Sequence, residues 1–189
     1  MRAQLSVTTL ITLILLTGCA TTPSPFEPPL KQPLSAATQQ SIDRAIELEI
    51  GKAIYTDEML RHKVHININS LNGIVLLTGE APSASYRNRA IEHARRVKNV
   101  VRIHNEVLVH TPSSLASRTR DTWILGRIKL ALKGDERVKS LDLKVVVENQ
   151  SAYLMGRISK AQATITIDIA RRVKGVKEVV TLFEYTDRS

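Results

Sequence analysis

The sequence predicts an α+β fold: two tandem αββαβ modules, each with two helices on a three-stranded mixed sheet, packed together behind a Pro-rich N-terminal tether. Three observations carry this expectation. Short motifs recur, since Leu77-Thr78-Gly79-Glu80 returns as Leu154-Met155-Gly156-Arg157 and Ala94-Arg95-Arg96-Val97-Lys98-Asn99-Val100 returns as Ala170-Arg171-Arg172-Val173-Lys174-Gly175-Val176. The hydrophobic period then changes in the same order within each copy. Finally, Pro112-Ser113-Ser114 leaves only a short connection between copies whose cores are small, which favours their packing together.

Each copy opens with a helix. Residues 41–56 place Ile42, Ile46, Ile50 and Ile54 at helical spacing, with Ala45 and Ala53 beside them, and residues 118–133 repeat this with Ile124, Ile128 and Leu132. Two strands follow. In the first copy Val64, Ile66 and Ile68 alternate with polar residues, Asn72-Gly73 supplies a hairpin turn, and Ile74 to Leu77 form an apolar strand. In the second, Leu141, Leu143, Val145 and Val147 alternate, the turn falls near Asn149-Gln150, and Tyr153 to Met155 continue the hairpin. A helix from about Ser83 to Val97, and from about Ala161 to Val173, leads into final strands at Val100 to Val109 and Val176 to Tyr185. Two helices over a three-stranded sheet is a two-layer solution.

The N-terminus has the parts of an exported lipoprotein. Residues 1–18 read as a signal peptide, with Arg2 ahead of a short apolar run from Leu10 to Leu16 and a small-residue exit. That run is shorter than the roughly 20 residues needed to span a bilayer. Leu16-Thr17-Gly18-Cys19 resembles the bacterial lipobox, which implies cleavage before Cys19 and a lipid on that residue. Ala20 after it resembles the sorting rule for outer-membrane delivery. Residues 19–40 then hold Pro23, Pro25, Pro28, Pro29 and Pro33 and read as a lipidated linker, leaving modules at 41–112 and 113–189. Cys19 is the chain's single cysteine, so no internal disulfide supports the fold.

Charge narrows the partners. Removal of residues 1–18 takes away only Arg2, leaving 26 Lys/Arg against 18 Asp/Glu. An exported basic chain meets anionic headgroups and acidic polymers rather than nucleic acid. Catalytic signatures are missing at the level of spacing: the eight glycines are scattered, and all five histidines (His62, His65, His93, His104 and His110) fall in the first copy. His62 and His65 take opposite faces of a regular strand. The expectation is no enzyme, no metal, no cofactor and no small-molecule substrate. Gly79 and Gly156 read as backbone requirements, a tight turn or a close helix approach.

The αββαβ order, the Gly after the second strand (Gly79, Gly156) and the Ala-Arg-Arg-Val-Lys-x-Val run into the last strand resemble the BON domain from about residue 41 to the end. That resemblance implies a bacterial envelope module with phospholipid binding. Two such modules behind a lipobox are similar to outer-membrane lipoproteins that support envelope integrity, which implies a periplasm-facing anchored protein.

The copies differ in surface. Residues 41–110 carry ten Lys/Arg and eight Asp/Glu, whereas 116–189 carry fifteen and nine. On the second copy's first helix, Ile124, Ile128, Ala131 and Leu132 make the core stripe at about 100° per residue. Trp123 and Leu130 fall away from it beside Arg120 and Arg127, and the aligned first-copy residues are Ile42, Ala45, Glu49 and Lys52. A Trp and a Leu flanked by Arg suit a headgroup interface, with Lys129 and Lys133 adding attraction to an anionic phospholipid membrane. Two other readings remain at this stage. Trp123 packs against the first module, or the same patch or the His-bearing first module docks an envelope assembly or division protein. The Arg95-Arg96-Lys98 and Arg171-Arg172-Lys174 runs near helix C-termini read as complements to the helix dipole.

Overall fold

The computed structural model describes residues 35–110, 115–138 and 141–186. The signal peptide, Cys19 and the tether up to residue 34 lie outside them, as does the Pro112-Ser113-Ser114 connection. The elements run α1 (Ala36–Thr56), β1 (His65–Leu71), β2 (Ile74–Ala81), α2 (Ala84–Arg95), β3 (Arg102–Val109), α3 (Leu115–Gly134), β4 (Leu143–Glu148), β5 (Ser151–Ile158), α4 (Lys160–Arg171) and β6 (Glu178–Tyr185). The αββαβ order therefore occurs twice. Each sheet is mixed, ordered β1-β2-β3 and β4-β5-β6, with an antiparallel hairpin and a final strand parallel to its central one.

Helix α1 begins earlier than the periodicity indicates. Ser35 caps it by accepting the Thr38 N–H at 3.2 Å, so residues 36–40, expected in the tether, are helical. Ala36, Ala37, Thr38 and Gln40 stay exposed and only Gln39 is partly buried, so no apolar stripe marks them. The hairpin turns use left-handed backbone at both central positions: φ is 54° at Asn72 and 76° at Gly73, then 49° at Asn149 and 68° at Gln150.

An aspartate on each opening helix fixes those turns. Asp43 accepts the Asn72 and Gly73 N–H groups at 2.8 and 2.9 Å and the Ser70 hydroxyl at 2.6 Å. Asp121 accepts the Asn149 and Gln150 N–H groups, both at 2.9 Å. The carboxylates thus tie helix to hairpin in both modules with charge-assisted bonds.

Each module has its own core between helices and sheet. Ile46, Ile50, Ile54 and Leu60 meet Val75, Leu77, Ala81, Ala90, Ala94 and Val107 in the first. Ile124, Ile128, Leu132 and Val138 meet Val145, Ala152, Leu154 and Ala170 in the second. The alternate residues of the central strands face the other way, where Ile74 and Leu76 pack on Tyr153, Met155 and Leu182. The two sheets therefore cover one another, and β2 is buried along its whole length. A strand covered on both faces reads as a continuous apolar run, as Ile74 to Leu77 do. The strand goes on through Thr78–Ala81, past the expected end.

Polar pairs surround this apolar contact. Lys144 Nζ meets Glu47 at 2.5 Å and the Ser70 carbonyl at 3.0 Å. The Asn72 side chain donates to Glu184 at 3.0 Å. Burial, helped by the charges of Glu106, Glu178 and Glu148, pushes the Tyr153 hydroxyl up to about 12, so it enters the contact uncharged.

Gly79 and Gly156 answer to different needs. At Gly79, with φ +113°, a Cβ would stand 2.0 Å from the His65 carbonyl oxygen. The close approach is made by the neighbouring strand, where the sequence allowed a helix. At Gly156 the obstruction is the Leu143 side chain at 2.6 Å.

Candidate functional site

Helix α3 is oriented by its buried side. Ile124 and Ile128 are fully buried and Leu132 nearly so, while Asp121 holds the helix to the β4–β5 turn. The opposite side then faces outward. Trp123 keeps 49% of its surface exposed and Leu130 keeps 73%, both large for apolar residues. They are seven residues apart and so share one helical face.

The cations divide between two faces. Arg127 lies with its guanidinium 4.6 Å from the centre of the Trp123 ring, a cation–π geometry that holds indole and guanidinium side by side. Arg120 and Lys133 are exposed, and helical geometry sets Arg120 next to Arg127 on the Trp123 side. Lys129 lies about 120° around the helix from Trp123 and lines the groove between the modules with Asp43, Glu47 and Lys144. The structure thus groups Trp123, Leu130, Arg120 and Arg127, with Lys133 toward one margin and Lys129 apart.

Trp123 has neighbours within its own module. Besides Arg127, its ring edge approaches Gly175, where a Cβ would lie 3.9 Å from it and 3.0 Å from Ile124. Gly175 has φ +102° and turns the chain between α4 and β6, carrying exposed Lys174 beside it. The second cationic run therefore ends next to the α3 face, an adjacency that spacing alone did not offer. Exposed apolar side chains also occur on α1, at Leu48 and Tyr55, which are positions other than those aligned with Trp123 and Leu130.

The histidines of the first module have separate surroundings. His93 Nε2 lies 2.6 Å from Asp57, whose same oxygen receives the Arg89 Nε–H at 2.5 Å. Those bonds, with the Met59 N–H, hold the Asp57 carboxyl well below the ordinary carboxylate range. This cluster ties α2 to the segment after α1 and is structural. His104 is pushed below its usual value by burial and by the charge of Arg102.

Sequence reasoning missed Asp43 and Asp121. The available signal was an aspartate at the same place in each opening helix, followed by a turn whose N–H groups need acceptors.

The model of the BON domain matches residues 42–111 and 120–187. The chain belongs to the BON-domain family. Over 145 residues it is 33% identical to the outer membrane lipoprotein DolP of Haemophilus influenzae, covering 77% of this chain and 75% of that one. It is also 33% identical over 153 residues to a 21 kDa hemolysin of Actinobacillus pleuropneumoniae, covering 81% of this chain and 78% of that one. Among solved structures, the C-terminal domain of CdsD, a structural protein of the Chlamydia trachomatis type III secretion system, is 11% identical with a TM-score of 0.31, covering 74% of this chain and 96% of that one. The BON modules and the DolP similarity support an outer-membrane lipoprotein of this family. Among the described residues no helix is long and apolar enough to cross a membrane.

Proposed function

We propose that the chain is held at the outer membrane by a lipid on Cys19 and that its second BON module docks on anionic phospholipid through the outward face of α3, supporting outer-membrane integrity from the periplasmic side. The observation that carries this reading is the exposed Trp123–Leu130 pair with the Arg127 guanidinium over the indole. An indole at headgroup depth gains apolar burial while its stacked guanidinium meets phosphate oxygens. Fully burying a large apolar side chain is worth about 1.5–3 kcal/mol, and each cation near an anionic surface adds about 1 kcal/mol. Two apolar residues and two to three cations suffice for reversible docking of an already anchored domain.

Co-sedimentation tests this reading. The chain from Ser35 onward, which keeps α1 whole, is mixed with phosphatidylcholine vesicles and with vesicles containing phosphatidylglycerol. Binding is expected only with the anionic lipid, about tenfold weaker in Trp123→Ala and lost in Arg120→Glu/Arg127→Glu, at about 1.4 kcal/mol per tenfold step. Binding that survives both changes places the contact elsewhere. No binding by the parent chain favours an adaptor that docks an envelope assembly or division protein.

A further inference from the structure

Between the two sheets lies a group of side chains that the membrane face does not use. His65 on β1 and Glu80 on β2 are direct register partners. Glu148, at the end of β4, reaches them from the facing module, and one ligand atom from each of the three lies within 4.8 Å of the others. Glu80 is 2% exposed and Glu148 7%, so both carboxylates are taken from water. His65 is only half-buried and leaves a way in from solvent.

Hydrogen bonding is conspicuously incomplete there. The Asn149 amide donates to Glu80 Oε1 at 3.1 Å and the Asn67 amide donates to Glu148 Oε2 at 2.7 Å. Among the described residues Glu80 Oε2 is buried with no hydrogen-bond partner, and so is Thr78 Oγ1 two residues earlier on the same strand face. A buried carboxylate oxygen without a donor is costly. An imidazole with two carboxylates whose outer oxygens are held by amides is the donor set of a borderline divalent cation with its supporting shell.

We propose that His65, Glu80 and Glu148 bind a divalent transition metal of the zinc class and so clasp the first module's sheet to the second's. Bonds of about 2.0–2.2 Å bring tetrahedral ligand atoms to about 3.4 Å apart, which asks for about an ångström of side-chain closure. The imidazole selects against magnesium and calcium, which prefer all-oxygen shells.

The test uses the full chain in detergent after chelator treatment, titrated calorimetrically with zinc chloride. One saturable equivalent is expected, at least tenfold weaker in His65→Ala and in Glu80→Gln and unchanged in His62→Ala. Zinc is also expected to raise the thermal midpoint of the parent chain and not of those two variants, with magnesium without effect. Equal binding by parent, His65→Ala and Glu80→Gln overturns the proposal, as does the lack of saturable binding or an equal response to magnesium. Should Glu80→Gln fail to fold, the half-buried His65→Ala variant decides.

Discussion

Replacing Asp43 with Ala removes the acceptor for three donors at the β1–β2 turn: the Ser70 hydroxyl at 2.6 Å and the Asn72 and Gly73 N–H groups at 2.8 and 2.9 Å. Asp43, Ser70 and Gly73 are buried, so water cannot replace all three bonds, whereas Asn72 is partly exposed. Two unsatisfied buried donors at about 1–3 kcal/mol each place the loss at about 3–4 kcal/mol. Asp121→Ala strips the acceptor of the Asn149 and Gln150 N–H groups, both on partly exposed residues, and should cost about 2 kcal/mol. Urea unfolding of parent and variants, followed by circular dichroism, measures both. Because the sheets bury Ile74, Leu76, Tyr153, Met155 and Leu182 together, each variant should unfold in one transition. A loss below about 1 kcal/mol for Asp43→Ala, or a greater loss for Asp121→Ala, would refute the assignment of these carboxylates as the ties between helix and hairpin.

Two further perturbations follow from the backbone and from one ion cluster. Gly79→Ala forces a Cβ to within 2.0 Å of the His65 carbonyl at φ +113° and should destabilise by about 4 kcal/mol or more, while Gly126→Ala, which meets nothing within 4 Å on exposed helix, should stabilise by about 1 kcal/mol. Thermal unfolding that ranks the two alike contradicts the strand-contact explanation. Asp57 titrates below its ordinary value of 3.8 when folded, so its contribution is whole above that pH and is lost as the pH falls toward the folded value. Asp57→Asn should therefore lower the thermal midpoint at pH 7 by more than at pH 2; a gap that does not narrow in acid counts against the Arg89 and His93 bonds as its source.

Much of the fold is legible because burial has a period. The isoleucines of α1 and α3 and the alternating strands β1 and β4 declare which face meets the local core. What the sequence hides is the second contact, made sheet to sheet. Thr78, Glu80, His65 and Asn67 look like solvated strand positions, yet they lie in or beside the space between modules because residues far apart in sequence converge there. A spacing argument about His62 and His65, three residues apart, could not see Glu148 arriving from the other module. The early start of α1 escaped for the opposite reason: an exposed, capped turn of helix carries no burial pattern. On α3 the outward Trp123 face is legible from angle alone, and the same angle sets Lys129 about 120° from it; that Lys129 lines the groove and that Gly175 adjoins Trp123 needed the tertiary structure.

Trp123 is the chain's single tryptophan, so its emission reports on the α3 face without labelling. Intrinsic fluorescence of the chain titrated with phosphatidylglycerol-containing vesicles should shift to shorter wavelength as the half-exposed indole enters the headgroup region, with no shift on phosphatidylcholine vesicles. An emission maximum that stays fixed while the chain demonstrably binds the anionic vesicles would contradict membrane docking through this face.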